Sequence, residues 1–78
     1  MHRKHEDHLY TTRLTNDRKN GCAFLELCRT SNGEEKLVAK IIFWDAAGQF
    51  FLESVVDELP LDVVQEFIVE ARAAIKTR

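Results

Sequence analysis

The most apolar part of the chain is residues 37–56, where two runs rich in β-branched and aromatic residues flank Asp45-Ala46-Ala47-Gly48. This tetrapeptide suits a type I turn that is closed by a glycine in the left-handed region. Gly48 adopts a positive φ without a Cβ clash, and Asp45 can accept hydrogen bonds from amides inside the turn. The pattern therefore predicts a β-hairpin at the centre of a sheet.

Two segments with strand composition precede this hairpin. Residues 9–15 are short and partly polar, as an edge strand would be, and residues 22–30 form a more apolar second run. Between the second run and the hairpin, Asn32-Gly33 favours a two-residue type I′ turn. The chain up to residue 56 therefore predicts a meander of four antiparallel strands.

The apolar spacing changes after Pro60, which suits the first turn of a helix because its missing N–H costs nothing there. At 100° per residue one broad arc collects the apolar side chains Leu61, Val63, Val64, Phe67, Ile68, Ala71, Ala74 and Ile75. Acidic residues near its start and Lys76 and Arg78 at its end suit the helix dipole. The predicted fold is α+β: a four-stranded antiparallel β-meander, then one C-terminal helix near residues 60–76 on one sheet face (β-β-β-β-α).

The first eight residues are mostly charged residues and histidines and contain little to bury. They predict a disordered tail before a single domain of residues 9–78. His2, His5 and His8 recur at every third position. Histidines on a flexible segment bind zinc or nickel only loosely, because a metal site needs fixed geometry and supporting contacts. No cofactor is predicted, and a metal role of the tail is left open.

The turns also predict which residues pair across the strands, and hence which side chains share a face. The face assigned to the helix contains Tyr10, Leu14, Ala23, Leu25, Leu27, Val38, Ile42, Trp44, Phe50, Leu52 and Val56. Trp44 is expected to be at least half buried beside Phe50. The opposite face is mixed, with an apolar belt among charged residues: Phe24, Ile41, Phe43 and Phe51 among Arg13, Glu26 and Glu53. A slip of one residue in any turn exchanges the two faces for that strand.

Composition and charge limit the classes of protein to which this chain could belong. The chain has 78 residues, 45% of them hydrophobic, and a formal charge of −2, which fits one small folded domain without general attraction for nucleic acid or anionic membranes. It contains no bilayer-length apolar run and no signal-peptide core, so a cytoplasmic location is expected. Cys22 and Cys28 would lie about 20 Å apart along one strand, too far for a disulfide, and are expected to be reduced.

Motifs for catalysis are missing from the sequence. Each glycine is explained by a turn, the histidines all lie in the first eight residues, and no serine has the context of a nucleophile elbow. Glu26 and Glu53 could form a carboxylate pair on one face, but solvated glutamates on a sheet are much commoner. An enzyme is therefore not predicted.

The favoured hypothesis is a protein-interaction module that binds a second copy of itself or another protein. One helix can cover only one face of the sheet, and surplus apolar surface usually indicates a partner. Dimerisation is also a common way to stabilise so small a domain. The predicted partner-binding residues are Arg13, Phe24, Glu26, Ile41, Phe43, Phe51 and Glu53.

The alternative is a single-stranded nucleic-acid binder with aromatic and basic residues on a curved sheet. The predicted order of elements is similar to that of the single-strand-binding transcriptional coactivators, a similarity of architecture without a shared motif. It implies binding of single strands through the sheet. This hypothesis ranks second because the basic candidates are scattered over both faces and the loops: Arg13, Arg18, Lys19, Arg29, Lys36 and Lys40.

Overall fold

A computed structural model describes residues 1–75 and shows an α+β fold, as the sequence predicts. Five antiparallel strands form one sheet in the order β1-β2-β3-β4-β5, and a helix follows them. The strands and the helix are β1 (His2–His5), β2 (His8–Asp17), β3 (Cys22–Ser31), β4 (Glu34–Trp44), β5 (Gln49–Ser54) and α1 (Leu61–Ala74). The predicted number of four strands is therefore wrong by one.

The additional strand, β1, comes from the segment for which the sequence predicts a disordered tail. It pairs with β2 from His2 opposite Thr11 to His5 opposite His8, through a tight turn in which Glu6 has a φ of 56°. An edge strand is held mainly by backbone hydrogen bonds, so it needs few apolar side chains. For this reason a search for apolar alternation does not find it.

The helix packs on one face of the sheet, which we call the covered face. Its buried side chains recur at every fourth position, at Val63, Phe67 and Ala71, and Ile75, directly after the helix, is buried as well. They share a core cluster with the sheet residues Tyr10, Leu25, Leu27, Val38, Ala39, Ile41 and Phe43. We call the opposite face of the sheet the open face.

The buried stripe of α1 is narrower than the predicted apolar arc. Leu61 is 79% exposed, and Ile68 is 38% exposed beside Leu52, so these two members of the predicted apolar arc lie outside the core. Pro60 precedes the first helical residue, and its carbonyl accepts bonds from the amides of Val63 and Val64. The predicted helix end near Lys76 and Arg78 lies outside the described residues.

A β-bulge between β3 and β4 determines which side chains of β4 face the helix. Cys28 pairs with Leu37 and Leu27 pairs with Ala39, so Val38 is an extra residue in β4. The predicted pairing omits this residue and is therefore shifted by one position from Ala39 onward. Because side chains alternate along a strand, the shift reverses every later side chain of β4. Ile41 and Phe43 consequently lie in the core, and their predicted place on the opposite face is wrong.

The central hairpin is present, but its pairing also differs by one residue. Trp44 pairs with Gln49 across a four-residue loop, rather than with Phe50. The Gly48 amide donates to the Trp44 carbonyl at 2.8 Å, with a φ of 64° at Gly48. The shift at the bulge and the shift in this hairpin would each reverse the faces of the following side chains, and together they restore them. The side chains of β5 therefore lie on their predicted faces.

Trp44 itself is 38% exposed, so the prediction that it is at least half buried is confirmed. The predicted neighbour, however, is wrong. The ring of Phe50 packs against Phe43 with centroids 5.0 Å apart, on the covered face, whereas Trp44 lies on the open face.

Candidate interaction surface on the open face

Two adjacent rows of side chains cross the open face from β2 to β5. Cross-strand pairing defines each row, and residues two positions apart in a strand share a face. The row that we call the apolar row consists of Phe24, Ile42 and Phe51, with Thr15 at its β2 end. The charged row consists of Arg13, Glu26, Lys40 and Glu53.

The apolar row presents aromatic surface to solvent. Ile42 lies between Phe24 and Phe51 and is only 6% exposed, whereas Phe51 is 45% exposed. Trp44 extends this surface along β4, and Leu37 lies beyond the charged row at 36% exposure. Within the described residues the only helix lies on the other face. The apolar row and Trp44 are therefore contiguous and uncovered, and the charged row separates them from Leu37.

The charged row alternates in sign from one strand to the next. Arg13 Nη2 lies 3.2 Å from Glu26 Oε1, and Lys40 Nζ lies 3.7 Å from Glu53 Oε2. The two inner side chains are the less exposed, with Glu26 at 18% and Lys40 at 28%. The row as a whole carries no net charge, because each cation is paired with one carboxylate.

The charged and apolar rows are in direct contact. Lys40 Nζ lies 4.9 Å from the centroid of the Phe24 ring, which is within the range of a cation–π interaction. Lys40 therefore contacts both Glu53 and Phe24. These two contacts orient the lysine side chain on the open face.

The structure brings five of the seven predicted partner-binding residues together on the open face: Arg13, Phe24, Glu26, Phe51 and Glu53. Ile41 and Phe43 lie beneath α1 instead. Sequence reasoning missed Lys40 and Ile42, which occupy the corresponding positions on the open face, and Trp44 beside them. Lys40 is the only charged residue between Leu37 and Trp44, so placing it on the uncovered side would have found all three.

Both cysteines lie on the open face, and both are free thiols. Cys28 is 5% exposed, next to the charged row. Burial raises the pKa of the Cys28 thiol, and the carboxylate of Glu35 raises this pKa further. The side chain of Cys28 is therefore a neutral, weakly polar group at neutral pH.

A polar cleft lies between the β1–β2 turn and the segment that leads into α1. It is lined by His5, His8, Arg29 and several acidic residues, and Nδ1 of His8 is buried without a hydrogen-bond partner. His2 lies on the opposite face of β1 from His5 and does not line the cleft. Residues 1–75 contain no group of three or more His, Cys, Asp or Glu side chains placed to hold a metal ion.

Comparisons with protein-family models, with curated proteins and with solved structures gave no match to this chain. In the part of the chain that the structure describes, no helix has the length and apolar character needed to cross a membrane.

Proposed function

We propose that the protein is a non-enzymatic protein-interaction module that associates with a second copy of itself through the open face. The observation that carries this proposal is the contiguous apolar surface of Phe24, Ile42, Phe51 and Trp44 opposite the helix. A face of this kind in so small a protein is typical of an interaction site.

Burial of this surface by a partner is energetically favourable. Phe51 and Trp44 keep 45% and 38% of their surface exposed, and burying apolar area gains about 25 cal/mol per Å². A core built from one helix and one sheet face supplies limited stability in a chain of 78 residues. A second copy presents the same apolar surface, so both copies gain from pairing.

The charged row favours a protein partner over single-stranded nucleic acid. Lys40 lies over the ring of Phe24, as a stacking platform with basic residues requires, but Lys40 and Arg13 are each paired with a glutamate. A phosphate backbone would meet two carboxylates in the same row. Nucleic-acid binding therefore remains the weaker hypothesis.

Sedimentation of the pure protein from low to high micromolar concentration tests the proposal. We expect the wild type to show a monomer–dimer equilibrium, and we expect Phe51→Lys to remain folded and to shift toward monomer. The matched control is Val69→Lys, because Val69 is 64% exposed on the helix, on the other side of the sheet, and should associate like the wild type. A wild type that stays monomeric at the highest concentration would contradict the proposal. Co-sedimentation with a short single-stranded oligonucleotide at low salt would favour the alternative.

A further inference from the structure

The order of the four charges on the open face is informative about how two copies could meet. Counted from β2 to β5, the row reads Arg13, Glu26, Lys40, Glu53, which is plus, minus, plus, minus. Neighbouring strands are about 4.8 Å apart, so the four charges are evenly spaced across the sheet. The row has an even number of members and alternates in sign, and reversing its order therefore inverts every sign.

We infer that two copies pack face to face about a two-fold axis that runs parallel to the strands, between β3 and β4. This inference rests on the proposed function, because it requires that the open face binds a second copy. A rotation of 180° about such an axis reverses the row of one copy over the other. Arg13 then faces Glu53 of the partner subunit, and Glu26 faces Lys40 of the partner subunit.

The other in-plane axis gives the opposite result. A two-fold axis along the charged row, perpendicular to the strands, places each residue over its own copy. Arg13 would face the partner's Arg13, and Glu26 would face the partner's Glu26. Like charges held face to face at an interface oppose association and exclude that partner geometry. The alternation in sign therefore selects the axis parallel to the strands.

The apolar side chains fit the same rotation. Phe24 faces the partner's Ile42, and Phe51, at the edge of the sheet, faces the partner's Thr15. In the next row Trp44 faces the partner's Cys22, because these two residues pair across β3 and β4. The two most exposed aromatic rings of this face thus meet small side chains, which leaves space for them between the sheets.

The distance between packed sheets also suits these contacts. Aligned sheets pack about 10 Å apart with their strands within about 30° of each other, so residues near the axis stay opposite one another. The inner charges, Glu26 and Lys40, lie on the strands next to the axis and are the less exposed pair of the row. The outer charges, Arg13 and Glu53, lie toward the edges, where their attraction acts during approach.

The first test uses two double variants that give the row a single sign. The all-positive variant is Glu26→Lys with Glu53→Lys, and the all-negative variant is Arg13→Glu with Lys40→Glu. We expect each variant alone to be monomeric and an equimolar mixture to form heterodimers in native mass spectrometry. Far-UV circular dichroism of each variant verifies that it is folded. A folded variant that dimerises alone as strongly as the wild type would overturn the role of the charges.

The second test distinguishes the two axes. A fully swapped variant carries all four substitutions and reads minus, plus, minus, plus. Under the proposed axis this variant forms homodimers and does not pair with the wild type. Under the axis along the row, the wild type and the swapped variant pair with each other instead. One of the two proteins is isotope-labelled, so that native mass spectrometry separates homodimers from heterodimers.

The outcomes separate this inference from the proposed function. Homodimers of the wild type and of the swapped variant, without exchange between them, support the axis parallel to the strands. Heterodimers of the two proteins overturn that axis and leave self-association through the open face intact. If neither protein associates alone or in the mixture, the proposed function itself fails.

Discussion

The two faces of the sheet are made by the same strands, yet they differ in how completely the chain covers them. On the covered face Leu25 and Leu27 are at most 1% exposed beneath α1. On the open face Phe51 is 45% exposed, and the charged row lies beside the apolar row. The covered face is thus completed within the described residues, whereas the open face keeps apolar side chains exposed to solvent, as the proposed interface requires. Substitutions at matched positions on the two faces can test this difference.

The largest difference is expected between Phe43→Lys and Phe51→Lys. Phe43 is 9% exposed in the core beneath α1, so a lysine there would place an ammonium group among apolar side chains. The cost of several kcal/mol is comparable to the whole stability of a small domain. We expect Phe43→Lys to lose the cooperative thermal transition seen by far-UV circular dichroism. Phe51→Lys should keep a transition close to that of the wild-type monomer. A folded Phe43→Lys variant would show that the faces are exchanged.

The next difference concerns two neighbouring residues of the helix. Phe67 is fully buried in the core, and Phe67→Ala should cost about 3–5 kcal/mol in the free energy of unfolding. Ile68 is 38% exposed at the side of the buried stripe, and Ile68→Ala should cost about 1 kcal/mol. Urea denaturation of both variants provides the comparison. Equal losses would mean that α1 is rotated about its axis relative to the structure.

The extent to which the fold follows from sequence differs between elements. The start of the helix is predicted to within a residue, because a proline followed by apolar spacing of 3.6 residues is typical of a helix and not of a strand. Strand β4 is predicted at the correct place in the sequence, but its side chains are assigned to the wrong faces. Seven of its eight residues from Leu37 to Trp44 are apolar, so no alternation of polar and apolar residues indicates which face is buried. The single charged residue, Lys40, carries the only information about orientation. The bulge at Val38 has no distinct sequence pattern of its own.

The prediction of the candidate surface is likewise correct for some strands and wrong for others. The surface residues on β2 and β3 are predicted on the correct face. Those on β5 are also predicted correctly, but only because the shift in the β4–β5 pairing compensates the shift at the bulge. Those on β4 are not predicted correctly, and the alternation of charge across the strands becomes visible only when Lys40 joins Arg13, Glu26 and Glu53. Strand β1 is missed because His2–His5 is held by backbone pairing with β2 and not by apolar burial.

A smaller effect is expected where a polar contact joins the covered face to the helix. The hydroxyl of Thr12 on β2 donates to Glu70 Oε2 at 2.6 Å. The amino group of Met1 donates to the same hydroxyl at 2.5 Å. Thr12→Val keeps the shape of the side chain and removes both of these bonds to charged groups, at a cost of about 1.5–3 kcal/mol in the free energy of unfolding. The matched control is Thr15→Val on the open face of the same strand, which should be close to neutral. A larger loss from Thr15→Val than from Thr12→Val in urea denaturation would contradict the assignment of the faces.

The smallest effect concerns Cys28, which belongs to the open face but is buried almost as deeply as the core. Because burial, together with the nearby Glu35, raises the pKa of its thiol in the folded protein, the folded state holds this proton more tightly than the unfolded state does. The resulting stabilisation is complete below the ordinary thiol pKa and is lost as the pH rises through the raised value. The Cys28→Ala variant has no thiol and therefore lacks this stabilisation. The urea midpoint of the wild type minus that of the variant should consequently decrease from neutral to alkaline pH. All other titratable groups are the same in both proteins, so their effects on stability cancel in this subtraction. A difference that grows as the pH rises would mean that the folded protein lowers the pKa of the Cys28 thiol, so that the attraction of the Arg13 guanidinium for the thiolate outweighs burial.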